Sequence, residues 1–323
     1  MAFARKFRNV VLLAKVETTK GTSASPTAAS NAMLPVGEVS LTPVDAERVP
    51  RNVIRGYYGA PDALVGSTWM RLGFSVEAAS SGTAGTAPAW GALLQGCGFT
   101  ETVSTGARVE YSPASTSLKG VSLYMYADGL EYQFIGSIGN LNGAVNVGGI
   151  PQLNFEFLAP YATPSTSTNP SPTLTAWKTP LLVSDANTAD LVVGGTYTTG
   201  AISGGTTYVS GGVEFDMGNV MSRLELIGAK EAVIADRSVS GTLKTLDLTA
   251  AQEITVQGYV TGNTAQALGL THGTAAGGKV LFWFPTARML GMTPVNLEGV
   301  WTSDVAFESP PSSGNDDIKI VAL

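Results

Sequence analysis

The fold class is decided by the stretch Val121-Ser-Leu-Tyr-Met-Tyr-Ala-Asp-Gly-Leu-Glu-Tyr-Gln-Phe-Ile135. Two runs rich in apolar, aromatic and β-branched residues flank Asp128-Gly129, and such runs favour strands. Asp-Gly is typical of a two-residue hairpin turn, because both central residues of that tight turn need positive φ angles. The stretch therefore predicts an antiparallel β-hairpin.

Similar period-two segments recur along the chain, separated by turns rich in Gly and Asn. They are Leu153–Phe157, Thr207–Val209, Ser222–Ile227, Gly241–Leu248 and Lys279–Phe284. Only two segments favour helices: Pro88–Gln95, with proline at a plausible first position, and Thr249–Gln257, with a Thr cap. The pattern predicts a mainly β protein of antiparallel sandwiches or partial barrels with short flanking helices.

These segments occur in the same order in both halves of the chain. Val36–Leu41 resembles Gly212–Met217, and Asp62–Trp69 resembles Asp236–Leu243, each about 175 positions further along. In each half, these two segments precede the one helix that is predicted there. Further on, Val121–Tyr126 is matched with Val280–Phe284, and Leu153–Phe157 with Thr302–Phe307. We interpret the order as two copies of one β-sandwich; the alternative is two unrelated β regions that share turn residues.

The predicted domains are residues 1–162, which include an N-terminal arm, and residues 181–323. Between them, residues 163–180 carry four prolines among Ser and Thr and are predicted to be a linker. A Gly-rich insertion at 194–212 in the second domain is either a flexible loop or a hairpin that orders only against a neighbour.

Composition narrows the possible functions. Charged residues make up 14 % of the chain, against about 25 % in ordinary soluble domains. A surface so poor in charge suits burial against neighbouring copies. The net charge of −6 disfavours a protein that grips nucleic acid, since Arg5, Lys6 and Arg8 form the only basic cluster. No apolar run approaches a membrane span, and the single Cys97 excludes an internal disulfide framework and fits a reducing cytoplasm.

The residues that catalysis would need are scarce. His272 is the only histidine, and its Gly-bounded surroundings predict a loop imidazole. Cys97 is predicted to be a small buried residue, since nothing in its spacing from His272 indicates a nucleophile–base pair. Asp316 and Asp317 could suggest a calcium loop, but the 12-residue ligand pattern is absent, and we expect a polar turn. We therefore expect no catalytic, cofactor or metal site, and no enzyme.

Several segments resemble the major tail tube proteins of long-tailed, siphovirus-type bacteriophages. They are Leu12–Ala32, Glu38–Arg51, Phe155–Tyr161 and Pro310–Ile320, the last with a Ser-Gly-Asn-Asp tail. The resemblance implies a structural virion protein with a tail-tube β-sandwich, duplicated here in tandem. Such subunits form rings that stack into a hollow tube, through which the genome passes at ejection.

The resemblance also implies partners and a location. The preferred assembly is a homotrimer with pseudo-six-fold geometry, because each chain carries two copies of the fold; a homohexamer is the alternative. The tube would contact tail terminator, tape measure and distal tail proteins, and double-stranded DNA would pass without specific binding. The protein would reside in the phage tail after assembly in the host cytoplasm.

The sequence leaves two alternative functions. A carbohydrate-binding or adhesin-type module of a phage or bacterial surface assembly would use exposed aromatics, of which Tyr57 and Tyr58 beside Asp62 are the nearest instance. A hydrolase on a β scaffold is disfavoured by the missing His and carboxylate constellations.

Overall fold

The computed structural model describes residues 4–323, and strands dominate them. The first half contains β1 (Val10–Val16), β2 (Ala32–Met33), β3 (Pro35–Pro50), β4 (Ala63–Glu77), α1 (Gly91–Gly96), β5 (Phe99–Ser104), β6 (Arg108–Pro113), β7 (Val121–Ala127), β8 (Leu130–Asn146), β9 (Gln152–Pro160) and β10 (Ser165–Thr166). The second half contains β11 (Leu191–Val193), β12 (Thr196–Thr198), β13 (Ala201–Ser203), β14 (Thr206–Tyr208), β15 (Gly212–Asp216), β16 (Asn219–Leu226), β17 (Ala229–Arg237), β18 (Ser240–Leu246), α2 (Ala250–Thr261), β19 (Gln266–His272), β20 (Val280–Leu297), β21 (Val300–Glu308) and β22 (Lys319–Ala322).

The first half folds into two antiparallel layers that share the long strand β8. One layer has the strand order β3–β4–β9–β8. The other has the order β2–β1–β7–β8–β10 and uses the earlier residues of β8. Apolar side chains from both layers meet in the core. Within it, the ring centroids of Phe74 on β4 and of Phe155 and Phe157 on β9 lie within about 6 Å of each other. The mainly β, sandwich-type fold is confirmed.

The second half repeats this connectivity strand by strand. One layer has the order β15–β18–β21–β20, with β16 and β17 extending its first two strands as a hairpin. The other has the order β14–β11–β19–β20–β22. In this correspondence β7 matches β19, so the sequence match of Val121–Tyr126 with Val280–Phe284 is wrong. Val121–Tyr126 lies in the first strand of the β7–β8 hairpin, whereas Val280–Phe284 lies in the second strand of the β19–β20 hairpin. Both strands are apolar, so composition alone does not distinguish their positions.

The two halves are joined by sheet pairing. The end of β8 pairs with β15, from Asn142 opposite Asp216 to Asn146 opposite Gly212. In the other layer, β22 pairs with β6. The first pairing creates one sheet of eight strands in the order β3–β4–β9–β8–β15–β18–β21–β20. We call it the long sheet.

Glycines let aromatic rings lie flat against the strands of the long sheet. A Cβ at Gly143 would stand 2.2 Å from the ring of Phe215, its cross-strand neighbour. A Cβ at Gly241 would stand 2.5 Å from the ring of Phe307, again directly opposite. The ring of Phe284 then packs against both Phe215 and Phe307 in the second core.

The local elements follow their sequence signals. Asp128 and Gly129 have φ angles of 46° and 99°, which confirms the predicted hairpin turn between β7 and β8. Helix α2 begins after Thr249, whose hydroxyl accepts from the Gln252 backbone in a capping box. Helix α1 is shorter than predicted and begins at Gly91, because residues from Pro88 form a turn before it.

The two irregular segments pack against their own chain. In residues 163–180, β10 pairs with β8, and the Trp177 indole donates to the carbonyl of Ala32 at 2.9 Å. In residues 194–212, β12 and β13 form a hairpin, and Tyr197 and Ile202 pack beside Trp283. The segment is thus a hairpin with apolar contacts within its own subunit.

Candidate assembly surfaces

Cys97 and His272 do not form a reactive pair. Cys97 is fully buried after α1, and burial raises the pKa of its thiol well above the usual value. His272 ends β19 and is 3 % exposed, so the predicted loop position is wrong. Its Nδ1 lies 2.9 Å from the hydroxyl of Thr188, and its Nε2 lies 3.2 Å from the carbonyl of Leu181. Burial lowers the pKa of His272, which favours a neutral ring that fastens residues 181–188 to β19.

The two consecutive aspartates have separate structural partners. Asp317 is buried and forms an ion pair with Arg237 at 2.5 Å. Asp316 accepts hydrogen bonds from Ser312 and Ser313, as in a polar turn. Within residues 4–323, no three His, Cys, Asp or Glu side chains are grouped so as to hold a metal ion. Within the same range, no helix is long and apolar enough to cross a membrane.

The face of the long sheet that points away from the core is polar, except at Trp69, Ile138 and Leu158, which the β16–β17 hairpin covers. Its side chains form a ladder of hydrogen bonds and ion pairs across the strands and across the junction between the halves. The pairs are Arg71–Glu156 at 2.7 Å, Ser75–Asn154 at 2.6 Å, Asn140–Asp216 at 2.8 Å, Asn146–Glu214 at 2.7 Å and Lys244–Asp304 at 2.8 Å. We call this surface the polar face.

The charge of this ladder is mainly negative. Its ladder contains the carboxylates of Glu156, Glu214, Asp216 and Asp304. The only cations in the ladder are Arg71 and Lys244, and each is paired with a carboxylate. Burial acts to raise the pKa of Asp304, but hydrogen bonds from Lys244 and the Thr245 backbone outweigh it and hold that pKa below its usual value. Asp304 is therefore charged at neutral pH, and the ladder carries excess negative charge.

Both edges of the long sheet are unpaired in the described part of the chain. Strand β3 pairs with β4 alone, and the 288–297 part of β20 pairs with β21 alone. Unpaired strand edges present backbone donors and acceptors that readily bind another strand. The edges are therefore candidate contacts with further copies.

A loop and a groove lie at opposite ends of the long sheet. The loop comprises residues 51–62 between β3 and β4, is exposed throughout, and includes Tyr57 and Tyr58. We call it the tip loop. The groove has a volume of about 710 Å³ and lies where the two halves meet, beside Asn146 and Gly212. We call it the junction groove.

Sheet extension, free edges and a polar sheet face are features of a subunit that assembles. The sequence model of a family described as "Phage tail tube protein" matches residues 8–322. The chain belongs to the phage tail tube protein family. It is a structural protein of the phage tail that assembles with itself into the tail tube and meets other tail proteins there. A search of curated proteins found no match to this tail tube protein.

The family assignment leaves the carbohydrate-binding alternative without support. Tyr57, Tyr58 and Asp62 do share one loop, as that alternative requires. However, Tyr58 is fully exposed, and the opening within the loop, lined by residues that include Asn52, Arg55 and Tyr57, has a volume of only about 230 Å³. The assembly surfaces themselves were not predicted from sequence. They depend on the pairing of β8 with β15, which joins residues about 70 positions apart, so no local sequence pattern indicates them.

Proposed function

We propose that three copies of this tail tube protein form each ring of the tube, with the polar face lining the channel. The observation that carries the proposal is the β8–β15 junction. By connectivity, β20 is the counterpart of β8 and β3 is the counterpart of β15. The junction inside one chain is thus a template for pairing β20 of one copy with β3 of the next.

Strand geometry favours three chains over six. Three chains provide six four-stranded units, or about 24 strands in the lining, counted from the long sheet. With strands spaced ~4.8 Å apart and tilted by ~40°, the backbone diameter is ~48 Å. That width admits a DNA duplex after side chains line the wall. Six chains would double the diameter to ~96 Å, far wider than a duplex needs.

The repeated connectivity supports a tandem pair of tail-tube-like domains. The matching elements run from β1 to β10 and from β11 to β22, on either side of the predicted linker at 163–180. The hairpins β5–β6 and β12–β13 have no counterpart in the opposite half. Each is an insertion into one copy of the fold. The domain boundaries we propose remain residues 1–162 and 181–323.

The channel would conduct DNA passively. Strong binding to DNA needs unpaired Lys or Arg that displace counterions from phosphates. The ladder of the polar face offers only Arg71 and Lys244, both paired, among four carboxylates. Such a wall repels phosphates and lets the duplex slide. We further propose that the protein has no enzymatic activity, is assembled in the host cytoplasm, and meets tail terminator, tape measure and distal tail proteins at the tube ends.

Cysteine cross-linking tests the ring. One cysteine replaces Ser40 or Thr42 on β3, and the second replaces Thr293 or Val295 on β20, while the native Cys97 is fully buried. Oxidation of assembled tubes should give covalent dimers and trimers on a denaturing gel, and no larger product. The control combines the β3 cysteine with Thr255→Cys on α2 and should give no cross-linked product. Intact tubes that cross-link in none of the four combinations, or cross-linked products of up to six chains, would overturn the three-chain ring.

A further inference from the structure

The C-terminal strand β22 lies between the two halves of one chain. It pairs with β20 of the second half over residues 280–283. Along its other edge it pairs with β6 of the first half, where Ile320 lies opposite Tyr111. Because β8 and β15 also pair in the long sheet, the halves of one chain are joined by strand pairing in both layers. We call this two-layer junction the internal seam.

Strand β22 is firmly held at the internal seam. The side chains of Ile318, Ile320 and Val321 are at most 1 % exposed. Just before the strand, the buried Asp317 forms its ion pair with Arg237 at the end of β17. A strand with buried side chains, a partner on each edge and an ion pair at its start resists displacement. Because β22 links the halves at a distance from the β8–β15 pairing, it fixes the angle between them.

The counterpart of β22 in the first half is β10, and the second edge of β10 is free. Each of these strands follows the last long strand of its half, β9 or β21, and pairs with the first residues of β8 or β20. Strand β10 comprises only Ser165–Thr166, and β8 is its sole partner in residues 4–323. The strand β6 that receives β22 belongs to an insertion after α1, whereas after α2 the chain leads directly into β19. The second half therefore offers no strand to β10 of the next copy.

The internal seam has a further fastening that the second half does not reproduce. The β16–β17 hairpin covers Ile138 and Leu158, which lie opposite each other on β8 and β9. Strands β9 and β21 correspond at their last phenylalanine, which a proline follows three positions later in both. Arg288 and Glu308 therefore take the places of Ile138 and Leu158 in the second half, and they also lie opposite each other. This charged pair offers no apolar surface for a hairpin of the next copy to cover.

We propose that each chain behaves as a rigid pair of units, so that the ring deforms only where one chain meets the next. The inference rests on the proposed three-chain ring, in which β20 of one copy pairs with β3 of the next. We call that contact the chain seam. It is joined by strand pairing in the long sheet alone, so its two sides can rotate about that pairing. A tube built in this way bends or widens through the three chain seams of each ring, while the three internal seams keep their angle.

Reversible cross-linking tests where the ring deforms. The chain-seam variant carries the cysteines on β3 and β20 that cross-link in the ring experiment. The internal-seam variant is its matched control and carries Ala144→Cys on β8 and Glu214→Cys on β15, which lie directly opposite each other. Oxidation of chain-seam tubes should raise their persistence length, measured on electron micrographs, by about twofold, because a disulfide restrains a contact that otherwise rotates. Reduction should reverse this effect, and oxidation of internal-seam tubes should leave the persistence length unchanged.

The outcomes separate this inference from the proposed ring. Failure of every β3 and β20 cysteine combination to cross-link contradicts the ring itself. Cross-linked chain-seam tubes with an unchanged persistence length, or an equal increase in the internal-seam variant, would overturn the rigid pair and leave the ring standing.

Curved tubes of the unmodified protein give a second measurement that needs no variant. In cryo-electron microscopy reconstructions of such tubes, the angle between adjacent units should vary at the chain seams and stay constant at the internal seams. Equal variation at all seams of the ring would also overturn the inference.

Discussion

At the scale of single residues, Glu110 is the clearest example of a carboxylate whose neighbours fix its charge. It accepts from Arg108 at 2.5 Å, Lys319 at 2.9 Å and the Tyr197 hydroxyl at 2.7 Å. Burial acts to raise the pKa of Glu110, but these hydrogen bonds outweigh it and lower the pKa to about 2. The cluster joins β6 of the first half to β22 and the β12–β13 hairpin of the second.

We expect Glu110→Gln to destabilise the subunit by about 2 kcal/mol at pH 7, which is less than the full equivalent of the pKa shift because solvent partly screens the cluster. Because the folded pKa lies below the unfolded one, the contribution is complete above pH ~4.5 and is lost as the pH falls towards 2. Chemical denaturation of the subunit at pH 7 and at pH 2.5 measures it, and the difference between the two proteins should be much smaller at the lower pH. Glu38→Gln, at an exposed carboxylate without an ion pair in residues 4–323, is the control. A Glu110→Gln effect of equal size at both pH values would contradict this account.

At the scale of elements, the β16–β17 hairpin fastens the second half onto the first. Its Ala232 is fully buried against Trp69, Ile138 and Leu158 of the first half. The guanidinium of Arg223 and the ammonium of Lys230 lie 5.9 Å and 5.2 Å from the Trp69 ring centroid. Arg223 also pairs with Asp45, and Lys20 of the first half binds Glu231 at 3.2 Å. One indole ring thus organises both apolar and cationic contacts between the halves.

We predict that Trp69→Ala lowers the free energy of unfolding by about 3 kcal/mol, because a large buried ring leaves a cavity and both cations lose their contact with the aromatic ring. The hairpin should also detach and become sensitive to limited proteolysis at Ile227-Gly228. Trp301→Ala removes a ring that is 65 % exposed and should cost less than about 1 kcal/mol in the isolated subunit. An equal loss of unfolding free energy in the two variants, or a hairpin that stays protected from proteolysis in Trp69→Ala, would show that the attachment of the β16–β17 hairpin does not depend on this ring.

These elements also show what the sequence could and could not predict. The Asp128-Gly129 turn and the Thr249 cap act on their immediate neighbours, so local residue types were sufficient. His272 was misplaced because a strand end followed by glycine has the same composition as a loop. The β8–β15 junction and the Glu110 cluster depend on side chains brought together from distant strands. No local pattern encodes those pairings.

At the scale of the whole molecule, the family assignment and the two free sheet edges converge on one architecture. A long unpaired edge would be an aggregation hazard in a free subunit, and closing a ring removes it. The proportion of charged residues, 14 %, fits a surface that is largely covered by neighbouring copies. The low charge noted in the sequence and the unpaired strands seen in the structure therefore have one cause in this account.

The central claim is that one chain supplies two units of the ring. A cryo-electron microscopy reconstruction of the assembled tube tests it most directly. The account predicts rings of three chains with pseudo-six-fold geometry, about 24 strands around the channel, and Glu156, Glu214 and Asp216 facing the lumen. A ring of six chains, or a channel lined by an excess of unpaired Lys and Arg, would contradict it.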